Sequence, residues 1–194
     1  DERLKTQLKA ACLPDQLTLV LSPEMLATTL TSLAGRKDGL DPSFAVDSVY
    51  AGLGRGLNKP VSSLETPELQ LKLLVGNTAA ETEEMVDSAL DELEKGTAAP
   101  MLKRMAQAWA DGRLGELESY EQWCDCVKTD KDRESMKKLL NDRNPGMAKG
   151  IDALHSAGTP VFAAVGSLHM VGKIGLPALL AKRGYVVERV EFKP

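Results

Sequence analysis

Through the first two-thirds of the chain apolar residues recur at a helical period. They then close up into an unbroken run, Val161 to Val165. A 3.6-residue stripe makes an amphipathic helix, whereas a short continuous run between turn signals suits a strand buried on both faces. Helix signals come first. Glu2 to Leu13 is stopped by Pro14. Pro23 stands where a first-turn proline belongs, and Met25, Leu26, Thr29, Leu30 and Leu33 follow it up to Gly35. Ser43 to Leu57 is a weaker helix crossed by three glycines, and Pro67 starts another. Thr78 and Glu81 have capping-box spacing ahead of an expected buried face of Met85, Ala89 and Leu93. Leu102, Met105, Ala106 and Trp109 form a further stripe, read as core rather than as a cofactor box.

Beyond Asn144-Pro145, read as cap and first helical residue, Met147, Ile151 and Leu154 share a face that ends at Gly158. After the apolar run come a glycine-spaced loop, a helix through Leu176, Leu179 and Leu180, and a β-branched segment from Tyr185 to Phe192. Helix, strand, loop, helix, strand predicts an α/β fold with a small, mostly parallel sheet among many helices, as one domain over residues 1–194. Lys59 to Leu64 supplies a third strand. Three strands are few for such a sheet. The chain opens at Asp1, already helical and without an initiator Met. Further strands and a signal segment are therefore expected upstream.

Composition excludes several functions. The 194 residues carry a net charge of -4 with a pI near 5.3, which gives nucleic-acid binding no electrostatic support. The apolar run is too short to span a bilayer. No Walker loop is present, because Gly172-Lys173 is followed by Ile174. There is no His-Glu-x-x-His helix, no Gly-x-Ser-x-Gly elbow around Ser167, and no Gly-x-Gly-x-x-Gly at a strand–helix junction.

Two histidines remain to be weighed. His155 occupies a helical last turn, where the dipole favours it, and reads as structural. His169 follows the apolar run in a loop with Gly166, Gly172 and Gly175 at three-residue spacing. Loops beyond the carboxyl ends of strands collect ligands in α/β sheets, and an imidazole there can bind metal or move protons. Glu65 follows a strand candidate and could face the same crevice, or serve as a capping residue near Pro67. Arg143 could clamp a carboxylate or phosphate, or brace a helix junction. The cysteines, Cys12, Cys124 and Cys126, lack zinc-knuckle spacing. They read as buried thiols, or as a disulfide between Cys12 and one of the pair.

Several of these segments occur together in one family. Gly39 to Asp47, Lys59 to Gln70, Asp142 to Ala148 and Phe162 to Gly172, in that order, make residues 40–192 resemble the TraB/GumN family, related to the Tiki and PrgY proteins. The resemblance implies an α/β fold, a metal-dependent hydrolase acting on peptides, and Mn, Co or Zn as cofactor. His169 matches the second of the family's two Gly-x-x-His motifs, Arg143 its Arg-Asn motif, and Glu65 a recurrent Leu-Glu-Thr position. The first Gly-x-x-His is not in this sequence, so the chain alone is expected to be inactive. In the implied mechanism His169 helps hold the ion, Glu65 or a family glutamate not in this sequence takes a proton from its bound water, and Arg143 meets the developing oxyanion or binds a substrate carboxylate. Bacterial members commonly carry export signals, which implies the periplasm. The alternative is a non-catalytic module binding a peptide or a small, haem-like ligand.

Overall fold

The computed structural model describes residues 2–191. Eleven α-helices follow one another in them: α1 (Glu2–Ala10), α2 (Pro23–Leu33), α3 (Val46–Gly56), α4 (Pro67–Leu74), α5 (Ala79–Glu94), α6 (Ala98–Ala110), α7 (Leu114–Glu118), α8 (Tyr120–Trp123), α9 (Asp130–Met136), α10 (Asn144–Ser156) and α11 (Leu176–Ala181). They divide between two compact units, one of residues 1–45 and 67–106, the other of residues 46–66 and 107–194.

The helix starts of the first unit follow their local signals. Ser22 accepts the Met25 N–H and Pro23 takes the first turn of α2. Thr78 accepts the Glu81 N–H, while the Glu81 carboxylate reaches past the cap to the Asn77 N–H. Leu4 and Leu8 of α1, Leu26, Ala27 and Leu30 of α2, and Val86 and Leu90 of α5 make one core. Each fully buried leucine contributes roughly 1.5–3 kcal/mol of transfer free energy. The buried face of α5 is thus turned one residue from the expected one. Ala89 and Leu93 pack only at its flank, and Met85 is exposed. On α6, Trp109 is likewise exposed, and the buried positions are Ala98 and Ala108.

A carboxylate sits beside this core. Glu24 is buried and accepts the Thr82 hydroxyl at 2.7 Å. That hydroxyl, with backbone N–H groups behind it, holds the Glu24 carboxyl below its ordinary value. Thr82→Val should therefore cost about 2 kcal/mol, the scale of a hydrogen bond to a charged group. Urea unfolding measures it, and an unchanged midpoint would show that the bond carries no stability.

The second unit corrects the expected fold class. Of the described residues 65% are helical, and no strand occurs among them. Lys59 to Leu64, Val161 to Val165 and Tyr185 to Glu191 are all irregular, and Phe192 lies outside the described residues. Nor is the apolar run buried on both faces: Phe162 is 73% exposed and touches Tyr50 edge-on. A helix satisfies its backbone within itself, but a strand needs a neighbour, and these segments have no ladder partner among the described residues. What organises the unit is helical. Met147 and Ala148 of α10 and Leu176 of α11 form its core, with Leu64, Ile151, Val165, Leu179 and Leu180 against it. α10 and α11 flank the loop that carries His169.

Candidate functional site

His169 lies in a 3-10 turn, Ser167–Met170, closed by its own N–H on the Gly166 carbonyl at 3.0 Å. Two of the three loop glycines are sterically required. Gly172 has φ +78°, and a Cβ on Gly175 would fall 2.5 Å from the Val171 carbonyl oxygen. Gly166 has ordinary φ, and its added Cβ would make only normal contact. The tight turn after Val171 feeds Leu176 into the core, which brings the loop back against the start of α10.

There it meets Asn144, which is 1% exposed. Asn144 was expected to cap α10 with its side chain. Instead the chain is already helical at Arg143 after a π-helical turn, Lys137–Asn141, so Asn144 has no free helix end to cap. Its amide nitrogen donates to the Ile174 carbonyl at 2.8 Å, and its Oδ1 lies 2.6 Å from His169 Nδ1. Oδ1 can only accept, so Nδ1 carries the hydrogen and donates. The lone pair then belongs to Nε2. Desolvation first, and the Arg143 charge second, push the His169 pKa below its ordinary value, with Glu65 opposing them. His169 is 6% exposed and neutral at pH 7.

Glu65 and Arg143 come together beside it. Arg143 Nε donates to Glu65 Oε1 at 2.7 Å, its Nη2 donates to Oε2, and its Nη1 donates to the Leu139 carbonyl at 2.8 Å. Their hydrogen bonds hold the guanidinium above its usual value. This fork geometry is the strong form of an ion pair, and its two side chains are mostly shielded from water. It also changes what each residue can offer. The Glu65 carboxylate is spent on the guanidinium, whereas Arg143 uses three of the five N–H donors that such a group carries. Two remain. The structure thus joins Glu65 to Arg143 and His169 to Asn144, and the charges of the first pair are felt at the second.

A family model, that of the TraB/PrgY/gumN family, matches residues 1–189. The chain belongs to this family. The match reaches back over α1 and α2, ahead of the motifs at residues 40–192 that carry the resemblance. No curated protein and no solved structure matches the chain.

A divalent ion is what the family resemblance implies for this site. Catalytic zinc ordinarily takes three protein ligands. His169 Nε2 is one suitable donor, but no three His, Cys, Asp or Glu side chains converge among the described residues. The donor set present does not fit a tightly held ion.

Elsewhere, Cys124 pairs with Cys126 and Cys12 is an exposed thiol, so neither the buried free thiols nor the bridge from Cys12 that the sequence suggested is found. His155 rests against the Tyr185 ring, 5.3 Å between centroids. Among the described residues no helix is long and apolar enough to cross a membrane. Asn144 is the site residue that sequence reasoning missed. Its neighbour Arg143 marked the place, but the adjoining proline made a cap the simpler reading.

Proposed function

We propose that this chain carries a hydrolytic site acting on peptides, with His169 as proton acceptor. The observation that carries this reading is the His169–Asn144 pair. A neutral imidazole has its Nδ1–H held by a buried amide and its basic Nε2 left for chemistry. A base oriented by a third group is the arrangement that general-base catalysis needs.

Nε2 takes a proton from a water molecule as its oxygen attacks the scissile carbonyl. Negative charge then grows on the carbonyl oxygen, within the field of Arg143, whose two remaining N–H donors can meet it. The imidazolium returns its proton to the departing amine. Asn144 keeps the ring from rotating throughout. Glu65 fixes the guanidinium and balances its charge; it acts as a positioning residue rather than as a second base. Among the described residues no three His, Cys, Asp or Glu side chains converge to hold Mn, Co or Zn, and each of these steps uses the chain's own groups.

The test is product formation from peptide substrates by the purified protein. Product beyond one equivalent per chain supports hydrolysis, and saturation at one equivalent favours the non-catalytic binding module.

The pH profile gives a second check. The His169 pKa is lowered from 6.5, so the base form persists below pH 6.5 and activity should fall on an acid limb with its midpoint under that value. Stability has the same sign. The unfolded chain binds the proton more readily, so stability is lost as pH falls from about 6.5 toward the folded-state pKa. A kinetic midpoint at or above 6.5 would remove His169 as the base.

A further inference from the structure

A cavity of about 390 Å³ opens in the second unit beside the His169 loop. Tyr120, at the start of α8, lines it and is 6% exposed. Its hydroxyl is shut off from solvent and is the one buried side-chain polar atom without a hydrogen-bond partner among the described residues. Buried hydroxyls are nearly always paired, and leaving one unpaired costs stability, so this one calls for an explanation. Burial pushes its pKa up to about 12, with the Glu121 charge adding to it, so the group remains a donor in want of an acceptor.

The rest of the lining narrows what that acceptor can be. Leu140, Leu168, Val171 and Ile174 offer aliphatic surface, while Glu118 and Glu121 outnumber Lys173 among the charged residues. An anion meets a lining of net negative charge. A cation would suit the carboxylates but bring Tyr120 no acceptor. An uncharged carbonyl attached to an aliphatic group satisfies both the hydroxyl and the apolar wall.

We infer that this cavity binds an uncharged amide bearing a branched aliphatic side chain, its carbonyl accepting the Tyr120 hydroxyl. Reaching that hydroxyl, which solvent does not touch, takes a shift of the side chains that line the cavity. The wall is also tied to the proposed base. The Ile174 carbonyl accepts from the same Asn144 amide that holds His169, so an occupant bears on the loop that positions the imidazole. Only this link to catalysis rests on the hydrolytic reading; the binding stands apart from it.

N-acetyl-leucinamide, titrated into the methyl-labelled chain and followed by NMR, is the probe. Saturable shifts at Leu140, Leu168, Val171 and Ile174 are expected, with weaker binding of the anion N-acetyl-leucine. Tyr120→Phe should lose about tenfold in affinity, the worth of one hydrogen bond. It should also raise the melting temperature of the free protein, because the unpaired hydroxyl is gone. Ile174→Ser changes an exposed side chain and should weaken binding without unfolding the chain. No saturable shift, or equal affinity in Tyr120→Phe, overturns the inference, as does a lower melting temperature with binding unchanged in Ile174→Ser. Hydrolysis without amide binding here would sink this inference alone, and binding without hydrolysis only the reading above.

Discussion

Asn144→Ala is expected to lower the unfolding free energy by about 1–3 kcal/mol, the cost of a buried imidazole N–H left without its partner. Asn144 is fully buried and both ends of its amide are used. Removing it strands the His169 Nδ1–H and frees the Ile174 carbonyl, and the void it leaves adds to the loss. The loop between Val171 and Leu176 would also lose its tie to α10. Asn144→Asp separates the two contacts. It can still accept from His169, but it turns a carboxylate oxygen toward the Ile174 carbonyl and puts a negative charge against the imidazole. The His169 pKa should then rise, carrying the acid limb of activity upward. Denaturant unfolding and the histidine ring resonances measure both effects. A cost below about 1 kcal/mol for Asn144→Ala would mean that the amide does not pin the loop.

His169→Ala should reduce turnover about 10²–10⁴-fold, the range that a positioned general base supplies. Alanine also leaves the Asn144 oxygen without its donor, so lost activity and lost stability would be mixed. His169→Gln avoids this. A glutamine amide can donate to Asn144 yet has no basic nitrogen, so that variant should be as inactive as alanine with most of the stability retained. Retained turnover in both variants would end the assignment of His169 as base. Elemental analysis of the same proteins, purified without chelator, addresses the implied cofactor. The donor set described here predicts less than stoichiometric Mn, Co or Zn. Stoichiometric metal that disappears in both variants would instead make His169 a ligand.

The limits of reading this chain from its sequence follow from the range of each interaction. A helix start is a local event, so the proline at the head of α2, the Thr78 cap and the left-handed Gly172 were open to inspection residue by residue. Which side of α5 faces inward was not. Val86 and Leu90 displace Met85 because α1 and α2 approach from that side, and the stripe alone fits either setting within one residue. The expected sheet failed for a related reason. Val161 to Val165 has strand composition, but a strand exists only in a pair, and no pairing segment lies among the described residues.

By itself the sequence marked where several helices start and set the glycine-spaced histidine loop, and it pointed to the family, but the α/β sheet it led us to expect does not occur among the described residues. Helix starts and the loop are properties of neighbouring residues, set by backbone sterics and short-range hydrogen bonds. Only the tertiary structure decided that Glu65 and Arg143, 78 positions apart, would form an ion pair, and that Asn144 would hold His169 from 25 positions away. Partners so distant along the chain are chosen by how α10, α11 and the loop pack. Burial then makes each of those bonds costly to lose.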